Sequence, residues 1–481
     1  MSLRNKALAG VYWTGIHSAG SQALSFLISI VLARLLLPSE FGLIAALTVF
    51  ISIGHLLIGS GLCSSIIRTP HLRESDLSTV FYFNLVGSVV VYIIVYFIAP
   101  LVAAFYNQEI LTSLLRVLAI GFIIQAFSAV QNARLVKSMN FKKLTLIGIP
   151  SLLAGAAVAV YMAMSGYGVW SLVGQSLTIA IVNSTLLWTL SGWTPSIIFD
   201  KAAFRKHFDF GYKVTLSGIL NTIFDQVYVI LIGRYFPMAQ AGYYQRANSL
   251  AHYPSKTLSS IVHKVSYPLL SEMQEEKERL RSNYAKMLKA IVFCVAPILA
   301  TMAVMGTPLF RWLFTEKWLP AVPYFQILTM VAILYPVHAF NLQILNVKGR
   351  SDLFLKAEVV KKLIVITIIA FVFRYGIYGL LLGSVAGSVL ALFVNTYYSS
   401  QVLDYSLGRQ VRDLLPAFIL ALAVSGGVYV IDLSLQAAAV SDLVRLVVSG
   451  AVATTFLYLF LSLFYKELMK EGRQLTKMIM K

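Results

Sequence analysis

The stretch that decides the fold reads LARLLLPSEFG at Leu32–Gly42, and a related stretch reads IGRYFPMAQAG at Ile232–Gly242. Both follow a long apolar run, and both pass from an arginine through a proline to a glycine. The arginine (Arg34, then Arg234) and the glycine recur 200 positions later. Two halves derived from one unit would produce such an echo, and repeated halves are common among membrane transporters.

Two further echoes appear in the same order along the chain. Tyr167–Trp170 is followed by a similar stretch at Tyr375–Tyr378, and Val182–Asn183 recurs at Val394–Asn395. The offsets, 208 and 212 positions, exceed the first one slightly, as two related halves with different loops require. The common order therefore predicts an internal duplication.

The composition is that of a chain embedded in lipid. Of its 481 residues, 58% are hydrophobic and 12% are charged, and the mean hydropathy is +0.78. Soluble proteins are roughly 45–50% apolar and about 25% charged. The apolar residues fall in blocks long enough to cross a bilayer as helices and too long for barrel strands. We expect an all-α, polytopic membrane protein.

The blocks predict about fourteen transmembrane helices. They lie at 11–36, 41–66, 79–105, 111–135, 144–165, 167–190, 213–236, 240–265, 284–308, 322–346, 353–374, 376–400, 411–432 and 441–465. The eighth is the least apolar, and its inclusion rests on its correspondence with the second. Six spans separate the copies, which predicts two parallel six-helix lobes around a central cavity, at 1–200 and 201–405. Residues 406–481 would add two extra spans and a basic tail.

The net charge of +19 could indicate an anionic partner or a topological bias of lysine and arginine. With the N-terminus in the cytoplasm, about 30 of the 39 basic residues fall on the cytoplasmic side. The positions therefore favour topology over a nucleic-acid partner, and predict that both termini are cytoplasmic. The segment 191–212 would be one of the longest cytoplasmic connections.

Catalytic and metal chemistry has little support in the sequence. Cys63 and Cys294 are far apart, the histidines are scattered, and no phosphate-cradling glycine loop with lysine is present. Short outer loops leave little room for an acid–base site. We expect a protein that is not an enzyme and carries neither a metal nor a cofactor.

Ionisable residues within spans are costly and are therefore functional candidates. One face of the eighth span is polar, and Arg246 lies beside it. The residues of this face are Gln245, Asn248, His252 and Lys256. They could line a cationic cavity for an anionic substrate. Alternatively, Arg246 could form an internal salt bridge with Asp225 of the seventh span.

Other polar side chains lie in otherwise apolar spans and could contact substrate sugars or hydrogen-bond neighbouring helices. They are Gln22, Gln125, His338 and Asn341. Arg116 of the fourth span is a further ionisable candidate for the cavity. Arg34 and Arg234 occupy equivalent ends of the first and seventh spans. They could form an outer gate, or their side chains could simply reach the membrane interface.

The stretch Gly242–Leu250 with Pro254 resembles bacterial polysaccharide flippases. Further matching segments are Met1–Arg4, Val31–Arg34, Phe41–Leu43 and Glu316–Trp318. The chain is most similar to the colanic-acid and teichuronic-acid exporter branch of the Wzx-type proteins, within the multidrug/oligosaccharidyl-lipid/polysaccharide exporter superfamily.

The resemblance implies a flippase for surface polysaccharide biosynthesis, such as that of exopolysaccharide or lipopolysaccharide. An undecaprenyl-diphosphate-linked oligosaccharide would move from the inner to the outer leaflet of the bacterial plasma membrane by alternating access. Asp225 is a candidate for ion coupling, and glycan polymerase or assembly proteins are candidate partners.

Three other activities remain as alternatives. A peptidoglycan-precursor flippase is closely related. A drug/cation antiporter of the same superfamily would favour several intramembrane carboxylates, whereas Asp225 is the one convincing example in the sequence. A membrane polymerase or glycosyltransferase would need an acid–base constellation.

Overall fold

A computed structural model describes residues 20–464, without the side chains of Ser60, Leu461, Leu463 and Phe464. Within this range the chain forms helices joined by short connections and contains no strand. The predicted all-α class is thereby confirmed. The beginning of the first predicted span and the basic tail lie outside the described residues.

The described chain forms two compact units that divide after Gly242. The helices of the first unit are α1 (Gly20–Leu35), α2 (Pro38–His55, continued by a π-helical turn at Leu56–Ser60 and by Gly61–Arg68), α3 (Glu74–Tyr106), α4 (Ile110–Lys137), α5 (Phe141–Met164), α6 (Trp170–Leu190), α7 (Lys201–Asp225) and α8 (Val227–Tyr235). The division falls inside the helix that follows, Met238–Glu272. The predicted lobe boundary at residue 200 stays a prediction.

The second unit begins within a long helix, and its described part ends with the helix Asp442–Phe464. Its helices are α9 (Met238–Glu272), α10 (Lys277–Val304), α11 (Gly306–Phe314), α12 (Val322–Val347, preceded by a 3-10 turn at Glu316–Ala321), α13 (Ser351–Val372), α14 (Gly376–Leu403), α15 (Leu407–Ala437) and α16 (Asp442–Phe464).

Several helices begin where the sequence supplies a cap. At α2, Pro38 occupies the first turn and the Leu37 amide donates to Glu40 Oε2 at 2.6 Å. At α7, the Asp200 carboxylate accepts hydrogen bonds from the amides of Ala202 and Ala203. These bonds satisfy amides that lack a partner within the helix, so they fix where each helix starts.

Each unit packs around its own apolar core. In the first unit, α4 contributes Leu111, Leu114 and Leu115, which pack against α2 and α3. In the second unit, α10 packs along α15, and α12 along α14. Buried α10 residues such as Val292 and Leu299 are fully enclosed.

Within residues 20–464, ten helical segments are long and apolar enough to cross a membrane, or eleven if α7 and α8 form one bent span. One of the ten, Ser351–Leu403, contains both α13 and α14. The polar helix α9 is not among the ten. It corresponds to the eighth predicted span, which is the least apolar of the fourteen. A multi-pass membrane protein is confirmed.

The seventh predicted span differs in form from the prediction. The sequence predicts a single helix at 213–236, but α7 begins at Lys201, and a bend of 48° separates it from α8. The second half of the predicted connection 191–212 is therefore helical. The Asp200 cap explains the early start, and the bend falls at the polar pair Asp225 and Gln226, within an otherwise apolar segment.

Candidate functional site

The polar face of α9 is the main candidate site. Gln245, Arg246, Asn248 and His252 are half-buried, and Lys256 is exposed. Their spacing places Gln245, Asn248, His252 and Lys256 on one side of the helix, as the sequence predicted. The helix runs for 35 residues and remains continuous despite two internal prolines, Pro254 and Pro268.

Arg246 is seated on two aromatic rings from another part of the second unit. Its guanidinium carbon lies 5.1 Å from the centre of the Phe314 ring and 5.3 Å from that of Trp318. Both rings are buried. A guanidinium over aromatic faces gains about 0.5–2 kcal/mol. The rings therefore fix the position of the cation.

This aromatic seat joins two segments that the sequence analysis singled out separately. Trp318 belongs to the 3-10 turn Glu316–Ala321, and Tyr243 lies at the start of the α9 motif. The Tyr243 hydroxyl donates to the Lys317 carbonyl at 3.2 Å, and the Tyr243 and Trp318 rings meet edge to face at 6.0 Å. Contact between the motifs gives the turn a role in positioning Arg246.

Farther along α9, His252 is held by local contacts. Its Nδ1 lies 3.1 Å from the Asn248 carbonyl, and its ring meets Tyr335 of α12 edge to face at 6.3 Å. These contacts orient the imidazole. His252 and the exposed Lys256 extend the polar face of α9 beyond Arg246.

The repeated glycines, Gly42 and Gly242, lie against each other. A Cβ on Gly42 would stand 1.8 Å from the Met238 carbonyl oxygen, and one on Gly242 would stand 1.9 Å from that of Pro38. Each built Cβ would also lie 3.2 Å from the other glycine's amide nitrogen. These matched distances show a local two-fold relation, so the sequence echo marks a real crossing of the two segments.

The two repeated arginines differ in environment. Arg34 is exposed, whereas the half-buried Arg234 donates to the Phe105 carbonyl at the end of α3 and lies 5.2 Å from the Phe105 ring centre. A cation at carbonyls near a helix C-terminus is favourable. Arg234 therefore ties α8 to α3, and a gating role for either arginine stays a prediction.

The polar candidates of the first unit differ in their neighbours and exposure. Arg116 of α4 donates to the Tyr96 carbonyl at 3.2 Å and lies 3.9 Å from the Tyr96 ring centre. The exposed Gln125 hydrogen-bonds His55 of α2. Gln22 is exposed on α1. The contacts of Arg116 and Gln125 join α4 to α3 and to α2.

Asn341 lies at the centre of a buried network in the second unit. Its Oδ1 accepts from Tyr284 at 2.9 Å and Ser399 at 2.6 Å, and its Nδ2 donates to Gln410 Oε1 at 3.1 Å. These residues come from four helices, and Asn341 is completely buried. The network gives Asn341 a structural role within α10, α12, α14 and α15.

His338 is one turn away on α12 and contacts α14. Its Nε2 lies 3.0 Å from Ser388 Oγ, and its Nδ1 accepts from Asn395 Nδ2 at 3.1 Å. Asn395 belongs to the third sequence echo. These bonds hold the imidazole between α12 and α14, so His338 contributes to the packing of the two helices.

We expect Asn341→Ala to lower the free energy of unfolding by about 1–3 kcal/mol, because buried groups of Tyr284, Ser399 and Gln410 lose their shared partner. Thermal unfolding of the detergent-purified variant measures the change. Asn346→Ala, at an exposed position on the same helix, is the matched control and should be neutral. Lost transport with unchanged stability would instead identify Asn341 as a substrate contact.

Some ion pairs between residues of the predicted spans were not anticipated from the sequence. Arg445 of α16 binds Asp432 of α15 through two bonds of 2.8 and 2.7 Å, with both residues 6% exposed. Lys361 pairs with Glu358 on α13 at 2.5 Å. The sequence does contain a signal for the first pair. Asp432 and Arg445 carry opposite charges and lie in adjacent predicted spans, close to the short connection between them.

A buried Ser–His–Asp cluster was also missed. Ser65 Oγ lies 2.8 Å from His207 Nδ1, and His207 Nε2 lies 3.2 Å from Asp76 Oδ1. The order resembles a nucleophilic triad, but the three side chains are at most 6% exposed. Enclosed in this way, they join α2, α3 and α7 rather than meet a substrate.

Asp225 is exposed at the end of α7, directly before the bend. Its predicted ion pair with Arg246 and its role in ion coupling stay predictions. The carboxylate therefore lies at the break between α7 and α8. Breaks of this kind in transporter helices commonly accompany ion sites.

Comparison with known proteins identifies the family. Residues 31–323, more than half of the chain, match the family described as "Polysaccharide biosynthesis protein". The chain belongs to this family. The matched range includes both copies of the arginine–glycine segment, the polar face of α9, and the Phe314 and Trp318 rings that contact Arg246.

Individual relatives carry related names. The chain is 26% identical to lipopolysaccharide biosynthesis protein WzxC of Escherichia coli (strain K12), over 88% of this chain and 87% of that one. It is 25% identical to teichuronic acid biosynthesis protein TuaB of Bacillus subtilis (strain 168), over 96% of each. Succinoglycan biosynthesis transport protein ExoT of Rhizobium meliloti (strain 1021) is 27% identical, over 69% and 67%. The resemblance stated from the sequence is confirmed.

Solved structures show the fold. Lipid II flippase MurJ in an inward closed conformation superposes with a TM-score of 0.77 at 14% identity, over 95% of this chain and all of the other. An inward-facing multidrug resistance MATE family transporter of the MOP superfamily gives 0.63 at 15% identity, over 80% and 94%. The chain thus has the fold of these transporters.

Proposed function

We propose that this protein is a flippase for an undecaprenyl-diphosphate-linked oligosaccharide used in surface polysaccharide biosynthesis. The observation that carries the proposal is the seated cation of α9. Arg246 belongs to α9, and its guanidinium lies on the buried rings of Phe314 and Trp318. The neighbouring face of α9 is polar, and the chain belongs to a polysaccharide biosynthesis family. The named relatives take part in the synthesis or transport of different polysaccharides.

The chemistry of the substrate matches the polar helix. A diphosphate is anionic and accepts two parallel hydrogen bonds from an arginine fork. Sugar hydroxyls pair with amides, imidazole and ammonium groups, which Gln245, Asn248, His252 and Lys256 supply. The lipid tail needs no polar partner because it can remain in the bilayer. One helix thus offers groups for both polar parts of the substrate.

The finer arrangement is part of the same proposal. Fourteen spans would form two parallel six-helix repeats around a cavity, followed by two additional spans, in the bacterial plasma membrane with both termini cytoplasmic. Alternating access would move the headgroup to the outer leaflet. The protein would act as a transporter and not as an enzyme, with Asp225 as the ion-coupling candidate and glycan-assembly proteins as candidate partners.

Two alternatives have the same fold but different cargo. A peptidoglycan-precursor flippase would rescue a strain depleted of its own flippase for that precursor. A drug/cation antiporter would drive efflux of a cationic dye from energised vesicles. The polysaccharide names of the relatives favour the oligosaccharide substrate over both alternatives. The cationic character of α9 further disfavours a cationic drug, but it would suit either lipid-linked diphosphate.

Deletion of the gene tests the function directly. We expect one undecaprenyl-linked oligosaccharide to accumulate on the cytoplasmic leaflet and the corresponding surface polymer to be lost. Extraction and mass spectrometry of lipid-linked glycans identify the cargo, and a plasmid copy of the gene is the control. Unchanged glycan pools and surface polymer, in a host without a second exporter, would contradict the proposal.

A further inference from the structure

The last two helices, α15 and α16, lie outside the repeat, yet they carry a densely bonded ion-pair cluster. Arg445 of α16 holds Asp432 of α15 through two bonds. Its remaining terminal nitrogen, Nη1, lies 3.1 Å from Asp442 Oδ1 at the start of α16. A bidentate pair fixes the planes of both groups, so the pair locks the hairpin that α15 and α16 form.

Asp442 extends the cluster to a third helix. Its second oxygen, Oδ2, lies 3.5 Å from Arg311 Nη1 on α11. Arg311 Nε also lies 3.7 Å from the carboxylate of Glu316. One carboxylate therefore bridges the arginines of α16 and α11, and the helices α11 and α16 pack together.

Helix α11 and the turn that follows it contain the two rings on which Arg246 lies. Arg311 is one turn before Phe314, the last residue of α11, and the 3-10 turn with Trp318 follows at once. Phe310 packs on Phe314 with ring centres 5.5 Å apart, and both are buried. A displacement of α11 would therefore move the two rings on which the Arg246 guanidinium lies.

From these contacts we infer that α15 and α16 are a brace for the substrate-contacting arginine. Asp442 and Arg445 are positioning residues: they act through Arg311, Phe314 and Trp318 on Arg246. The inference rests on the proposed function, because it assigns to Arg246 the contact with the lipid diphosphate. It gives the two helices outside the repeat a task in substrate binding.

The test is a double-mutant cycle on the full-length protein in phosphatidylethanolamine–phosphatidylglycerol nanodiscs, with undecaprenyl diphosphate as the probe. Asp442→Asn removes the bridging charge but leaves the Asp432–Arg445 pair intact, so the hairpin should fold. We expect it to weaken binding about five- to tenfold in the wild-type background. In an Arg246→Lys background, which lacks the planar group that stacks on the rings, the further loss should stay under about twofold.

Controls separate positioning from general damage. Asp352→Asn removes another arginine–carboxylate pair, at the start of α13, in which the Arg350 and Asp352 side chains lie 2.8 Å apart. This variant should leave binding unchanged. Arg311→Gln breaks the same link from the α11 side and serves if Asp442→Asn does not fold. Equal losses in both backgrounds, or no loss from either variant, would overturn the brace but keep the proposed function. Wild-type affinity in both Arg246→Lys and Arg246→Ala would remove the phosphate contact and the brace together.

Discussion

Arg246→Ala is expected to abolish detectable export while the protein remains folded in the membrane. The substitution removes a positioned cation that would donate charge-assisted hydrogen bonds to the diphosphate, a contribution of about 1.5–3 kcal/mol, which is roughly tenfold to 150-fold in affinity. Surface polymer and accumulated lipid-linked glycan are measured in a deletion strain that expresses the variant.

Two further variants sharpen this prediction. Arg246→Lys keeps the charge but lacks the planar fork and stacks poorly on Phe314 and Trp318, so we expect an intermediate loss. Arg374→Ala removes another arginine that lies over an aromatic ring, 4.9 Å from the centre of Tyr375, and should export normally. Normal export by Arg246→Ala would remove the phosphate-contact assignment.

Gly242→Ala is expected to reduce export at least about tenfold. An alanine Cβ would stand 1.9 Å from the Pro38 carbonyl oxygen, so the two repeated segments would have to move apart by more than 1 Å. Overpacking of this kind costs typically about 1–3 kcal/mol, and here a backbone carbonyl limits the possible relief. Export and the yield of monodisperse protein measure the effect.

The local two-fold relation supplies matched tests of the crossing. Gly42→Ala should behave like Gly242→Ala, and the double variant should lose less than the sum of the two, because a single separation relieves both overlaps. Gly87→Ala is the control, since a Cβ at this helical position meets nothing within 4 Å. If Gly242→Ala behaves like Gly87→Ala, the close crossing is not required for function.

The positions of the helices were largely predictable because bilayer crossing is a local property of composition. Apolar blocks of sufficient length located the helices, although the start of α7 at Lys201 depended on the Asp200 cap. The two copies of the arginine–glycine segment meet at Gly42 and Gly242, a contact that the sequence did not predict. The duplication of the two halves stays a prediction.

The partners of the polar residues were not predictable in the same way. The sequence predicts a sugar contact or an interhelical hydrogen bond for Asn341, and in the structure its hydrogen bonds reach Tyr284, Ser399 and Gln410 on three other helices. Hydropathy identifies a polar residue in a span, but it does not tell whether that residue faces a substrate or another helix. That choice depends on which helix faces come together.

By itself, the sequence determined that this chain is an all-helical membrane protein with a duplicated segment, a polar helix centred on Arg246, and membership in a polysaccharide biosynthesis family. Only the tertiary structure decided that Arg246 rests on Phe314 and Trp318 and that Asp442 links Arg445 to Arg311. The physical reason is range: lipid burial acts on each segment separately, whereas ion pairs and aromatic seats require atoms far apart in sequence to meet within a few ångströms.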